Sequence, residues 1–295
     1  VALGVKINTE RLLQWIRPGS SLAAFAREPI AQNKGNLGFI RLGGLKKEGA
    51  QDAQDDFGFH EGGIVSRASR FGNPQLCCEA SAGSVTATMS LAGQNALVVG
   101  GGTGMGEAIA LALAKEGMNV AIAGRRQEKL DAVAAQSESE ILTKTADVGD
   151  RESVKELFEW FTGKLDRLHL LVNSAGVNVP KRSMSELAPE DWDKLMRINA
   201  TGAYNCLLHG LPLMRPHKEG LVINISSIAG LRASHLGGVA YNASKFAMNA
   251  LGTSAAGDEL ENNIRITTIC PGEVDTPILN DRPEPPGPEH RAKIL

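Results

Sequence analysis

Short apolar runs alternate with amphipathic stretches along the chain from residue 96 onward. Six apolar runs predict strands, at 96–99, 119–123, 140–146, 168–173, 221–225 and 264–270. The stretches between them predict helices at 108–116, 127–136, 152–161, 189–213 and 239–260, and residues 277–295 predict an irregular loop with a short helix at its end. Strands that alternate with helices indicate an α/β fold, a doubly wound parallel sheet covered on both faces.

The first 88 residues follow a different pattern, with scattered glycines, little periodicity and no motif. We interpret residues 1–88 as a poorly ordered N-terminal extension. In this interpretation they are translated from sequence upstream of a true start at Met89 and are not native coding sequence. A regulatory or docking arm is the alternative. Residues 89–295 then form the folded domain.

Composition excludes several classes of partner. The 295-residue chain has a net charge of −2, so nothing in its overall charge favours nucleic acid or a membrane surface. Its four cysteines, Cys77, Cys78, Cys206 and Cys270, show neither a disulfide framework nor metal-ligand spacing. We therefore expect a cytoplasmic protein without a metal.

A glycine-rich turn joins the first predicted strand to the first predicted helix. Gly100, Gly104 and Gly106 have the spacing G-x-x-x-G-x-G. Glycines let a ligand approach the backbone closely, and a helix start offers free N–H groups that suit a pyrophosphate. The expected phosphate contacts are Gly100, Gly102, Thr103, Gly104, Met105 and Gly106.

The turn after the second predicted strand indicates which dinucleotide is bound. An acidic residue about 20 residues beyond the glycine loop binds the ribose 2′-hydroxyl in many dinucleotide folds. Gly124 stands at that place here, and Arg125 and Arg126 follow it. Guanidinium groups suit a 2′-phosphate, so these residues favour NADP(H) over NAD(H).

A tyrosine and a lysine four residues apart, Tyr241 and Lys245, share one face of the last predicted helix. A nearby ammonium lowers the pKa of a phenol, so the pair forms a candidate general acid/base. Ser226 and Ser227 follow the fifth predicted strand at the same edge of the sheet, where a serine can donate a hydrogen bond to a substrate oxygen.

Seven motifs between about residues 92 and 279 together resemble the classical short-chain dehydrogenase/reductase family. They are the glycine turn, Asp147-Val148, Asn173-Ser174-Ala175-Gly176, Ile198-Asn199, Ser226-Ser227, Tyr241-x-x-x-Lys245 and Pro271-Gly272-Glu273-Val274-Asp275-Thr276. The resemblance implies a Rossmann-type fold.

The resemblance also implies roles. Tyr241 is the acid/base, Lys245 holds the nicotinamide ribose and lowers the tyrosine pKa, Ser227 polarises the substrate oxygen, and Asn199 anchors a water of a proton relay. Asp147 and Val148 border the adenine, while Val274 and Thr276 hold the carboxamide. The remaining implied cofactor contacts are Asn173, Ala175, Gly176, Pro271 and Gly272.

The chain departs from the family at three places. Val99 and Ser174 replace the usual threonine and asparagine, and nothing follows Leu295, where the family continues with a helix and a seventh strand. We therefore expect the sheet to lack its last strand, the segment from Pro277 to be untethered, and the 295-residue form to self-associate irregularly. The complete protein is expected to be a homo-oligomer, a dimer or tetramer.

The predicted activity is NAD(P)(H)-dependent interconversion of a carbonyl and a secondary alcohol, with NADP(H) preferred. A catalytically impaired cofactor-binding protein, either a sensor or a truncated relic, is the alternative from another class. An epimerase or dehydratase of the extended branch usually has the spacing G-x-x-G-x-x-G, which residues 100–106 do not show. The sequence does not specify the substrate.

Overall fold

The computed structural model describes residues 90–294, and the predicted extension at residues 1–88 lies outside them. Six parallel strands form one sheet in the order β3-β2-β1-β4-β5-β6. Their bounds are Asn95–Val99 (β1), Asn119–Gly124 (β2), Ile141–Thr145 (β3), Leu170–Asn173 (β4), Gly220–Ile225 (β5) and Ile264–Ile269 (β6). This order confirms the doubly wound parallel sheet.

Helices connect successive strands, as the alternating pattern predicts, and one short helix follows β6. Their bounds are Gly104–Lys115 (α1), Gln127–Ala134 (α2), Arg151–Thr162 (α3), Pro189–Leu195 (α4), Gly202–Met214 (α5), Val239–Asp258 (α6) and Pro288–Ile294 (α7). None of the helices within residues 90–294 is long and apolar enough to cross a membrane.

One predicted helix is interrupted. The stretch 189–213 is not a single α-helix, because Met196–Thr201 forms a π-helical turn between α4 and α5. Such turns insert a residue into the helical ladder and frequently occur at functional sites. Asn199 lies in this turn and is fully buried.

Two apolar cores lie on the two faces of the sheet. One packs α1 and α2 against alternate residues of the central strands, with Val98, Ile109 and Leu130 among its members. The other packs α3 and α5 against the opposite face, around Leu97 and Phe161. The strands β1, β2, β4 and β5 are buried on both faces, so their sequences are almost continuously apolar.

The strand order reverses between β1 and β4, and this reversal determines where a ligand crevice lies. In open α/β sheets ligands bind beyond the carboxyl ends of the strands at such a switch point. The loops after β1, β4, β5 and β6 all emerge at this edge, so the motifs that the sequence spreads over 180 residues come together there.

The segment of residues 271–294, called here the C-terminal segment, is tied to itself by ion pairs. Arg282 lies 2.5 Å from Glu273, which also contacts His290, and Arg291 pairs with Asp275. The Asp281 carbonyl also accepts a hydrogen bond from Arg182 in the loop after β4, so the segment is not untethered as expected. The predicted short helix is present as α7. It begins at Pro288, after a proline-rich stretch.

Candidate active site

The glycine turn packs so tightly that side chains cannot be added at two of its positions. A Cβ on Gly106 would lie 2.2 Å from the Gly100 carbonyl oxygen, and one on Gly100 would lie 2.5 Å from the Ala175 nitrogen. Gly100 also has a φ of +85°, a conformation that L side chains rarely adopt. Glycine is therefore required at Gly100 by the close approach of the β4 loop and at Gly106 by the tightness of the turn itself.

The N-terminus of α1 is open on the side of the crevice. Thr103 caps the helix without a side-chain hydrogen bond, so the first-turn N–H groups have no side-chain partner. Thr276 lies across this turn, with its Cβ 3.2 Å from the position of a Cβ on Gly104. The glycine turn and the start of the C-terminal segment thus flank one cleft, and their backbone fits a pyrophosphate group.

Arg125 and Arg126 are exposed at the start of α2. Within residues 90–294 neither forms an ion pair, and Gly124, the last residue of β2, places no acidic side chain before them. Both guanidinium groups are therefore free of protein ion pairs within the described residues.

The predicted adenine residues are held by protein contacts. Asp147 accepts a hydrogen bond from the Gly149 N–H and lies 3.5 Å from Arg197. Val148 is buried, and a Cβ on Gly202 would lie 2.7 Å from its side chain. Most of the Val148 side chain therefore faces the protein interior.

Ser227 and Tyr241 lie together at the carboxyl end of β5. The Ser227 Oγ accepts a hydrogen bond from the Ala229 N–H at 3.1 Å. Because that contact occupies Oγ as an acceptor, the serine hydroxyl proton is free to be donated. The Ser227 hydroxyl lowers the pKa of Tyr241, against the larger and opposite effect of burial.

Lys245 is buried beneath these two side chains, with 3% of its surface exposed. Its Nζ donates a 2.9 Å hydrogen bond to the Ile225 carbonyl oxygen and lies 5.7 Å from the centre of the Tyr241 ring. Burial, which penalises the ammonium form, lowers the pKa of Lys245 to about 8.

The pKa of Tyr241 differs from the sequence prediction. Burial raises it above the ordinary value, and the hydrogen bond from Ser227 and the charge of Arg182 act in the opposite direction. Ser227 and Arg182 thus lower the phenol pKa in addition to the effect that the sequence predicts for Lys245, which stays a prediction.

Asn199 in the π-helical turn connects the β4 loop with α6. Its Oδ1 accepts from the Val177 N–H at 2.8 Å, and its Nδ2 donates to the Val177 carbonyl and the Ser244 Oγ. The side-chain amide is thus committed to protein groups. A Cβ on Gly176 would lie 3.6 Å from Asn199 Oδ1 and 3.5 Å from Lys245 Nζ, so these three residues surround one point.

Asn173 and Pro271, two of the implied cofactor residues, are engaged by neighbouring strands. Asn173 donates from Nδ2 to the Asn224 Oδ1 at 2.9 Å, inside the sheet. The Pro271 carbonyl accepts from the Ile228 N–H, which joins the loop after β6 to the loop that carries Ser227.

Sequence reasoning missed two residues of this site. Arg182 is buried near Tyr241, and Ser244 donates to the Tyr241 carbonyl while it accepts from Asn199. Ser244 lies inside the Tyr241–Lys245 motif and could have been found there. Arg182 lies in a loop with no periodic or motif signal.

The comparisons with known proteins agree with this geometry. The family model for "short chain dehydrogenase" matches residues 94–286. A tropinone reductase homologue of Arabidopsis thaliana is 36% identical over 65% of this chain and 72% of its own length. An NADPH-dependent pterin aldehyde reductase of the same plant is 35% identical over 64% of this chain and 78% of its own length.

A solved structure of a metagenomic short-chain oxidoreductase in complex with NADP superposes with a TM-score of 0.59. It is 34% identical, and the alignment covers 62% of this chain and 84% of that one. These matches support an NAD(P)-dependent oxidoreductase that acts on carbonyl and alcohol groups. The chain belongs to the short-chain dehydrogenase family.

Proposed function

We propose that this protein transfers hydride between NADP(H) and a small carbonyl or secondary alcohol compound, with Tyr241 as the general acid/base. The observation that carries this proposal is the cluster of Ser227, Tyr241 and Lys245 at the switch-point edge of the sheet, next to the glycine turn. The bound nicotinamide supplies or accepts the hydride, and the chain supplies orientation and proton transfer.

In this proposal each side chain of the cluster acts on one atom. Ser227 donates its hydroxyl proton toward the substrate oxygen, since its Oγ already accepts from Ala229. Tyr241 gives a proton to the forming alkoxide during reduction, or takes the alcohol proton during oxidation. Lys245 presents its ammonium group to the nicotinamide ribose, and Asn199 positions α6 through Ser244.

Two exposed arginines support the preference for NADP(H). Arg125 and Arg126 follow Gly124, and no ion pair engages them within the described residues. A 2′-phosphate placed there gains charge-assisted hydrogen bonds, whereas a 2′-hydroxyl finds no carboxylate acceptor. We also propose that the family's carboxamide contacts come from Val274 and Thr276.

The substrate is proposed to have an apolar body beside its reacting oxygen. The loop between Ser227 and Tyr241 exposes Ile228, Leu231 and Leu236, each with half or more of its surface accessible. Exposed apolar side chains next to a reaction centre favour a hydrophobic ligand.

A homo-oligomer is proposed from the outer faces of α5 and α6. Tyr204 and Leu208 of α5 and Phe246 of α6 are exposed apolar side chains. The carboxyl ends of the two helices lie side by side, because Arg215 after α5 pairs with Glu259 after α6 at 2.6 Å. Two apolar helix faces held together in this way fit the same surface of a second copy.

The test is NADPH oxidation by the 295-residue chain with a panel of aldehydes and ketones of increasing apolar size. We expect turnover that rises with apolar size and disappears in Tyr241→Phe. Cofactor binding without turnover of any panel member would instead support a cofactor-binding protein without catalysis.

A further inference from the structure

Arg182 is a buried arginine in the loop between β4 and α4. Only 6% of its surface is exposed, and it makes no ion pair within 4 Å in the part of the chain that the structure describes. A buried charge needs compensating hydrogen bonds, because removal of a guanidinium from water is costly. The groups that compensate the buried charge of Arg182 therefore show which parts of the chain this residue holds together.

Three carbonyl oxygens from three separate segments surround the guanidinium. Nε donates to Val179 at 2.8 Å, Nη1 donates to Leu236 at 2.9 Å, and Nη2 donates to Asp281. Val179 belongs to the β4 loop, Leu236 to the loop that leads to Tyr241, and Asp281 to the C-terminal segment. One side chain thus joins the three chain segments around the proposed substrate cleft.

Arg182 also contacts the first turn of the helix that carries Tyr241. Its carbonyl oxygen accepts a 3.1 Å hydrogen bond from the N–H of Val239, the first residue of α6. A Cβ on Gly238 would lie 2.5 Å from the Arg182 Cβ, so the arginine stem packs directly on this turn. Gly238 has a φ of +80°, which permits the close contact.

The charge of Arg182 reaches the Tyr241 phenol. It lowers the pKa of Tyr241 against the opposing effect of burial, together with the hydrogen bond from Ser227. Lys245 is the other cation beside the ring, and Asp281 and Arg282 are the charged residues nearest Arg182. Carbonyl oxygens bind the guanidinium without neutralising its charge, so Arg182 remains a cation beside the first turn of α6.

We propose that Arg182 is a positioning residue of the active site, which holds the C-terminal segment against the loop before α6 and directs a permanent positive charge toward Tyr241. This inference rests on the proposed role of Tyr241 as acid/base. The two functions of the side chain are separable, because the charge needs only a cation whereas the three contacts need the planar guanidinium fork.

The first test titrates Tyr241 directly. The chain has two tyrosines, so Tyr204→Phe leaves Tyr241 as the only phenol, and its ionisation is followed by near-ultraviolet absorbance. In that background Arg182→Met should move the midpoint of the Tyr241 ionisation to higher pH. Arg182→Lys should leave this midpoint unchanged, and so should Lys181→Met, a substitution at the exposed neighbouring residue. An unchanged midpoint in Arg182→Met overturns the electrostatic role.

The second test follows the C-terminal segment by amide hydrogen exchange over residues 277–282. We expect exchange at least tenfold faster in Arg182→Lys, because one ammonium nitrogen cannot reach three carbonyls that three separate guanidinium nitrogens contact, and unchanged exchange in Lys181→Met. Equal exchange in Arg182→Lys and the unsubstituted chain overturns the positioning role, and this variant retains the charge if Arg182→Met does not fold.

Neither measurement requires turnover, so failure of this inference is distinguishable from failure of the proposed function. A shifted Tyr241 midpoint in a chain that reduces no carbonyl compound would support the inference and contradict the function. With an active chain, we expect Arg182→Lys to raise KM more than it lowers kcat, since the segment it releases borders the substrate cleft.

Discussion

Lys245 donates from Nζ to the carbonyl oxygen of Ile225, the last residue of β5, across 2.9 Å. This contact holds a fully buried ammonium directly below Ser226 and Ser227, the residues that follow the strand. Since burial lowers the lysine pKa to about 8, the charged form is held at a free-energy cost that an apolar residue would avoid.

Lys245→Met should therefore stabilise the fold while it abolishes turnover. The change in the lysine pKa from 10.5 to about 8 corresponds to about 3 kcal/mol against the ammonium, and the lost hydrogen bond returns about 1 kcal/mol. Because the folded-state pKa is lowered, the unsubstituted protein gains stability as pH rises from about 8 toward 10.5.

The measurement is the free energy of unfolding of both proteins at pH 7 and above pH 10. The advantage of Lys245→Met should be largest at pH 7 and should shrink at the higher pH. A variant less stable than the unsubstituted chain at pH 7 would show that the Ile225 hydrogen bond outweighs the burial of the charge.

Tyr241→Phe should lower kcat by about 10²-fold to 10⁴-fold or more, because it removes the only proposed proton donor. Cofactor affinity and Tm should remain within experimental error, as the substitution removes one oxygen at a partly buried site. Tyr204→Phe, an exposed phenol on α5, is the matched control. Substantial turnover in Tyr241→Phe would assign proton transfer to another group.

Arg125→Ala should weaken NADPH binding about tenfold to a hundredfold and leave NADH binding nearly unchanged. The variant removes a charged hydrogen bond to the 2′-phosphate, which is worth about 1.5–3 kcal/mol. Fluorescence titration with each cofactor gives the ratio of the two dissociation constants, and NADH is the internal control. Equal losses for both cofactors would place Arg125 away from the 2′-phosphate.

His169 lies at the edge of the sheet opposite the candidate active site, and we expect it to make the stability of the protein depend on pH. Its Nδ1 accepts from the Asn95 N–H at 3.0 Å, and burial and the neighbouring Arg167 lower its pKa. Because the folded state favours the neutral ring, His169 contributes fully to the free energy of unfolding above the ordinary histidine pKa. This contribution is lost as pH falls below that pKa.

We expect His169→Gln to flatten the fall in stability between about pH 6.5 and pH 5, measured by urea unfolding. His235→Gln, at an exposed histidine in the loop before α6, controls for the general effect of losing an imidazole. An identical fall in stability with pH in His169→Gln and the unsubstituted chain would contradict this assignment.

The outer faces of α5 and α6 predict the oligomeric state. Leu208→Asp and Phe246→Asp each place a charge in the proposed interface, so each should convert the oligomer to smaller species without lowering monomer stability. Light scattering after size exclusion measures the mass, and Leu260→Asp, exposed outside these two helices, is the control. Retention of the parent mass in both interface variants would contradict the proposed surface.

The sequence by itself determined the order and type of the elements, and it predicted a reaction centre whose side chains the structure brings together. Strands such as β1 and β4 are buried on both faces, so local hydrophobicity alone marks them to within two residues. The glycine turn, Ser227, Tyr241 and Lys245 were predictable because their chemistry depends on residue type and on spacing within one element or turn.

Only the tertiary structure decided how those residues influence one another. The π-helical turn at Asn199, the tethered C-terminal segment and the three-carbonyl site of Arg182 each depend on contacts between segments that are far apart in the chain. The pKa of Tyr241 shows the same limit. Local spacing predicts that Lys245 lowers it, whereas burial raises it and Arg182, 59 residues away in sequence, opposes that rise. Desolvation and charge depend on distance in space, which spacing along a chain does not encode.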